Sequence, residues 1–113
     1  MTQTSGPIGL FDSGVGGLTV VSALHQRYPK QALLYVADQA HVPYGDRASG
    51  EVRDLALAIT GFLVEAGCRA VVMACNISSA TALAMARASY PEIPIIGVIN
   101  AAVREALKDT HRG

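Results

Sequence analysis

Cys75 stands between an apolar run, Val71-Val72-Met73-Ala74, and a segment of small and polar residues, Asn76-Ile77-Ser78-Ser79-Ala80. The run reads as a buried strand and the segment as the opening of a helix. A thiol at that junction meets unpaired backbone N–H groups and the positive end of the helix dipole, which favour the thiolate. A thiolate so placed can take a proton and, once protonated, return it. The plainer alternative is an inert cysteine behaving as a small hydrophobe, so its company decides. Cys68 follows Gly67 at the far end of the same strand. At roughly 3.3 Å per strand residue it lies ~20 Å away, too far for a shared site or a disulfide, and it reads as structural.

Two other stretches carry candidate chemistry. Asp12 and Ser13 end an apolar segment and lead into Gly14-Val15-Gly16-Gly17-Leu18-Thr19. Thr19 stands where a dinucleotide fingerprint has its third glycine, and no Gly-Lys-Ser/Thr phosphate loop is present. Backbone N–H groups freed by these glycines suit a small anion such as a carboxylate; a tight turn with close helix–strand packing is the alternative. The second stretch is the irregular loop 38–47, with Asp38, His41, Pro43, Tyr44, Gly45 and Asp46. Asp12, Asp38 and Asp46 could equally satisfy local N–H groups. His25 and His111 read as solvent-facing, which leaves His41 as the histidine near the candidate site. No ligand spacing suggests a metal, and Gly-x-Ser-x-Gly is absent.

The elements that must position these residues alternate strictly. Strands are expected over 7–11, 32–37, 69–74 and 95–99. Helices are expected over 18–28, stopped by Pro29; from an N-cap at Ser49 to Ala66, stopped by Gly67; over 78–89; and over 101–108. In the second helix Val52, Leu55, Ala56, Ile59, Leu63 and Ala66 mark one buried face. The pattern predicts an α/β fold, a parallel four-stranded sheet flanked by helices on both faces. All strand-to-helix loops then emerge at one carboxyl edge, gathering Asp12-Ser13, the 38–47 loop, Cys75-Asn76 and Asn100. The order of the strands stays open. In a flavodoxin-like order, 2-1-3-4, Asp12 and Cys75 would flank one crevice.

The whole chain, 113 residues, has the length of one domain, and half of its residues are apolar, which argues for a packed core and against disorder. Formal charge is zero with nine basic and nine acidic residues, so a nucleic-acid partner is not expected. The apolar runs are too short to span a membrane and no signal peptide is visible. Two distant cysteines suit a reduced, cytoplasmic setting. The final residues, ending after an expected helix, suggest half of a larger molecule.

Together these residues resemble a known family. The run Ile8-Gly9-Leu10-Phe11-Asp12-Ser13-Gly14-Val15-Gly16-Gly17-Leu18-Thr19-Val20, the motif Val42-Pro43-Tyr44-Gly45, the triplet Ala74-Cys75-Asn76 and the strand Ile95-Ile96-Gly97-Val98-Ile99 resemble the first domain of bacterial glutamate racemases. The resemblance implies a flavodoxin-like half of a two-domain, cofactor-independent racemase that supplies D-glutamate for peptidoglycan. It implies one cysteine from each half, one thiolate taking the α-proton and the other thiol returning a proton to the opposite face. Carried onto this chain, Cys75 is the acid/base, and Asp12 assists it and, with Ser13, holds polar groups of the substrate. Pro43, Tyr44 and Gly45 grip the side-chain carboxylate, and Asn76, Ile77 and Ser78 border the amino-acid end.

Ile77 stands where the family usually has Thr, and Ser78 is the neighbouring hydroxyl that could replace it. Ala37-Asp38-Gln39-Ala40-His41 replaces Gly-Asp-Thr-Ala-Arg, and Asn100-Ala101-Ala102 replaces Glu-Pro-Gly. These departures bear on glutamate specificity and on activity. With one edge thiol, the chain by itself is expected to perform at most one of two proton transfers. The alternatives are a homodimer that sets two Cys75 thiols across one crevice, an inactive or regulatory dicarboxylate-binding module, and a relative of the aspartate racemases.

Overall fold

In the computed structural model, residues 5–12, 17–38 and 48–98 are described, without the side chains of Ser49, Asn76 and Ile77. The strands are β1 (Ile8–Asp12), β2 (Leu33–Ala37), β3 (Ala70–Met73) and β4 (Ile95–Gly97); the helices are α1 (Leu18–Arg27), α2 (Ser49–Glu65) and α3 (Asn76–Ser89). The strands form one parallel sheet in the order β2-β1-β3-β4. The parallel four-stranded α/β architecture expected from the alternation is therefore the one observed, and the order is flavodoxin-like. The helix expected over 101–108 lies outside the described residues.

Strand order and crossover handedness divide the helices between the two faces. From β1 the chain steps one way to β2 and then back past β1 to β3 and on to β4. Right-handed crossovers therefore put α1 on one face and α2 with α3 on the other. Side chains confirm the division. A Cβ on Gly9 would meet Cys68 and Leu63 at the α2 end, and one on Gly97 would meet Ser79 and Leu83 of α3. The core lies on this face, where Phe11, Val71, Met73 and Ile95 of the sheet meet Ala56 and Leu63 of α2 and Ala82, Leu83 and Ala86 of α3. Truncating a fully buried residue such as Phe11 to Ala would cost about 3–5 kcal/mol.

Helix α2 buries Val52, Ala56 and Leu63 as its spacing predicts, whereas Ala66 is exposed beyond its last turn. Thr60 completes the buried stripe, its hydroxyl donating to the Ala56 carbonyl at 2.8 Å. That bond satisfies the one polar atom the stripe contains. Gly67 ends the helix at φ 92°, a left-handed conformation that favours glycine. Ser49 is the first helical residue rather than the cap; Ala48 takes the cap position, its carbonyl accepting from Glu51 and Val52 N–H at 3.0 and 3.1 Å. Helix α1 is covered far less than α2. It buries no residue, and Leu18 at its start is half-exposed.

Strands β3 and β4 are shorter than expected, and the two shortenings are linked. β3 stops at Met73 so that Cys75 can cap α3, and its last partner on β4 is Gly97. β1 runs one residue further than expected and carries Asp12 as its last residue. No helix among the described residues is long and apolar enough to cross a membrane.

Candidate functional site at the carboxyl edge

The strand order places β1 and β3 side by side, with α1 leaving toward one face and α3 leaving from the other. This is the switch point of the sheet, where open α/β folds bind ligands. Asp12 ends β1 and Cys75 follows β3 there. Backbone bonds tie the end of β1 to both neighbouring strands: Ala74 N–H, after β3, donates to the Phe11 carbonyl at 2.9 Å, and Asp38 N–H, after β2, to the Asp12 carbonyl at 2.8 Å.

Side-chain alternation separates the two groups across the sheet edge. Asp12 shares the α1 face with Leu10, whereas Cys75 continues the Val71–Met73 side and packs against Val52 and Leu55 of α2. Each is 6 % exposed. A carboxylate that buried needs donors, and Asp12 receives one from the backbone N–H of Gly17, the N-cap of α1. The acid thus caps the helix N-terminus in place of a capping side chain, which α1 lacks.

Cys75 is itself the N-cap of α3, extended at φ −106° and ψ 126°, and the helix begins with the next residue. That start is two residues earlier than the expected residue 78. The reason is the bond from Ser79 N–H to the Cys75 carbonyl at 2.9 Å, which closes the first helical turn on the cysteine. Ser79 also fixes the corner with its side chain, the hydroxyl donating to the Met73 carbonyl at 3.1 Å. It therefore ties the helix back to the strand on both sides of the thiol. Sequence reasoning did not single out Ser79; a second serine four residues after Cys75 was the available signal.

Of the other candidates, Ser78 is fully buried in the first turn of α3, its hydroxyl without a hydrogen-bond partner among the described residues. An unpaired buried hydroxyl costs about 1–3 kcal/mol, so this position retains a polar group at a cost in stability. Asn76 and Ile77 open α3 beside the cysteine. Ser13, Pro43, Tyr44, Gly45, His41 and Asn100 lie outside the described residues. Cys68 is 1 % exposed among Leu63 and the core, and burial pushes its thiol above the ordinary range. Neither cysteine is in a disulfide, and the structural reading of Cys68 agrees with its surroundings.

Two surface depressions lie at the other edge, one lined by residues 27–31 and one by Arg87 and Tyr90 with residues around β4. They are at the C-terminal ends of α1 and α3, away from Asp12 and Cys75, and neither contains a carboxylate or thiol.

Comparison with known proteins accords with this geometry. The sequence profile described as Asp/Glu/hydantoin racemase matches residues 18–112. The chain belongs to the Asp/Glu/hydantoin racemase family. It is 44 % identical over 113 residues to the glutamate racemase of Ectopseudomonas mendocina, covering all of this chain and 43 % of that protein. Its fold superposes on the glutamate racemase of Aquifex pyrophilus with a TM-score of 0.86 and 45 % identity, over 91 % of this chain and 40 % of that one. The glutamate racemase of Francisella tularensis, solved in complex with D-glutamate, matches at TM-score 0.82 and 38 % identity, over 87 % and 37 % of the two chains. The chain thus spans about two fifths of the length of the relatives it matches. Within that span the family match includes β3, α3 and Cys75.

Proposed function

We propose that this chain forms one half of the active site of a cofactor-independent glutamate racemase, with Cys75 as the proton-transfer group of its half. The observation that carries the reading is the switch point itself. A buried carboxylate and the thiol of a helix N-cap residue lie at the ends of adjacent parallel strands and approach one edge from opposite faces. Relatives of similar sequence over the whole chain are glutamate racemases, one of them solved with D-glutamate.

In this reading the Cys75 thiolate removes the α-proton of glutamate, and the electron pair of the C–H bond passes to the substrate as a carbanion. A second thiol on the opposite face then donates its proton to that carbon. The first thiol leaves protonated and the second as thiolate, so the reverse reaction starts from the product. An α-proton is only weakly acidic, so the base must be held in place beside groups that stabilise the developing charge. Asp12 assists Cys75. Ser13, Asn76, Ile77 and Ser78 border the amino-acid end, and Pro43, Tyr44 and Gly45 hold the side-chain carboxylate. The second thiol comes from a second, similar domain or from a second copy of this chain. The product would feed peptidoglycan synthesis in the cytoplasm.

The test is incubation of glutamate in deuterated water with the chain across a range of concentrations. Alone and monomeric, the chain is expected to give little or no racemisation. Racemisation that rises with the square of chain concentration identifies a second copy as the other half, and reconstitution by a separately supplied second domain identifies a domain. In either case Cys75→Ser abolishes it. Racemisation or α-proton exchange that survives Cys75→Ser would sink the proposal.

A further inference from the structure

Tyr35 has no part in the chemistry just described, yet it stands where the site's supporting elements meet. It pairs in register with Leu10, two residues before the pair Asp12 and Ala37. In-register partners of a parallel sheet share a face, so Tyr35 lies on the same side as Asp12. Gly17 shows how closely they converge. A Cβ at that glycine would lie 3.0 Å from Cε1 of the Tyr35 ring, 3.1 Å from Cβ of Asp12 and 3.2 Å from Cβ of Ala74. Three residues, from β1, β2 and the end of β3, are thus packed around the methyl group that the α1 cap residue lacks. The same Gly17 donates its N–H to the Asp12 carboxylate, and Ala74 directly precedes Cys75.

We propose that Tyr35 is a positioning residue, whose ring and hydroxyl hold Asp12 and, through Gly17 and Ala74, set the carboxylate's place relative to the Cys75 corner. The inference rests on the racemase reading for what Asp12 and Cys75 do. Its own content is that removing the Tyr35 hydroxyl acts on Cys75 by way of Asp12. Burial, and after it the charge of Asp12, raise the Tyr35 hydroxyl above its ordinary value of 10.0. It is therefore a neutral phenol at neutral pH, and beside a carboxylate a phenol is a donor.

The test is a double-mutant cycle on the full chain, without amino-acid substrate, read as the rate of Cys75 alkylation by iodoacetamide. Cys68 in the same digest serves as the internal reference. Tyr35→Phe keeps the ring and is expected to slow Cys75 alkylation about threefold, a factor within the range of coupling between contacting residues. In the Asp12→Asn background the same change should have no further effect. An equal factor in both backgrounds, which a merely structural ring would produce, overturns the inference, and so does no effect in either. Should Tyr35→Phe fail to fold, the ring resonance of Tyr35 in folded Asp12→Asn is the second measurement. Its titration midpoint must fall relative to the parent chain, and an unchanged midpoint also overturns the inference. Because no amino acid is present, failure here leaves the glutamate exchange experiment standing, and the reverse holds too.

Discussion

The two cysteines mark opposite ends of one four-residue strand and are almost equally hidden, at 1 % exposed for Cys68 and 6 % for Cys75. Burial therefore does not distinguish them. Cys68 follows a left-handed glycine turn and joins Leu63 and the main core, where its sulfur fills space against Gly9. Cys75 caps α3 at the switch point, with α2 side chains on one flank and the Asp12 strand end on the other. A parallel sheet makes this difference unavoidable: loops at its amino edge turn the chain around, and loops at its carboxyl edge deliver helix N-termini.

The strongest way to break the comparison is to exchange each thiol for a hydroxyl. Cys75→Ser is expected to abolish reconstituted glutamate racemisation, whereas Cys68→Ser should retain it and lose about 1–3 kcal/mol of stability from an unpaired buried hydroxyl. Denaturant unfolding beside the deuterium assay reads both, and a catalytic loss confined to Cys68→Ser would invert the assignment.

Overpacking one edge sharpens it next. Gly17→Ala puts a methyl 3.0 Å from Tyr35 and 3.1 Å from Asp12. It is expected to cost about 1–3 kcal/mol and to change Cys75 alkylation while Cys68 keeps its rate. Equal changes at both cysteines would show general loosening instead.

Val52→Ala removes part of the wall against Cys75. The loss is expected to be about 2 kcal/mol, smaller than for a larger truncated side chain, with faster alkylation at Cys75. An unchanged alkylation rate in the folded variant would show that Val52 does not guard the thiol.

The smallest effect is one of pH. Burial raises the Cys68 thiol above its ordinary value of 9.0. Above that value the unfolded chain releases the proton while the folded chain still holds it, so stability falls as pH rises through the alkaline range. Urea midpoints compared at neutral and alkaline pH should show this fall in the parent chain and a shallower one in Cys68→Ala. Tyr35 contributes in the same direction above 10.0, so the slope in Cys68→Ala is reduced rather than removed.

Much of this architecture is legible in the residues. The β-α alternation, the stripe Val52-Ala56-Leu63, the stop at Gly67 and the junction at Cys75 follow from periodicity and turn chemistry, because those depend on near neighbours in the chain. Boundaries were less legible where a distant partner decides them. Asp12 belongs to β1 because Ala37 pairs with it. Helix α3 starts at Asn76 because Ser79 bonds back to Cys75 and Met73. Tyr35 gave no local sign of its place beside Asp12, since nothing in an apolar strand shows which side chain lies under a neighbouring loop. The modest burial of α1 was equally hidden, because helical spacing states which residues share a side and not how much of that side is covered.

By itself the sequence determined the types and order of the elements, the identity of the edge thiol and the family to which the chain belongs. Tertiary structure alone decided that β1 lies between β2 and β3, and with it that Asp12 and Cys75 come to the ends of neighbouring strands on opposite faces of the sheet. The physical reason is range. Helix periods, caps and turns are set within a few residues, whereas strand order is a choice among long-range pairings whose energies depend on packing across the whole sheet.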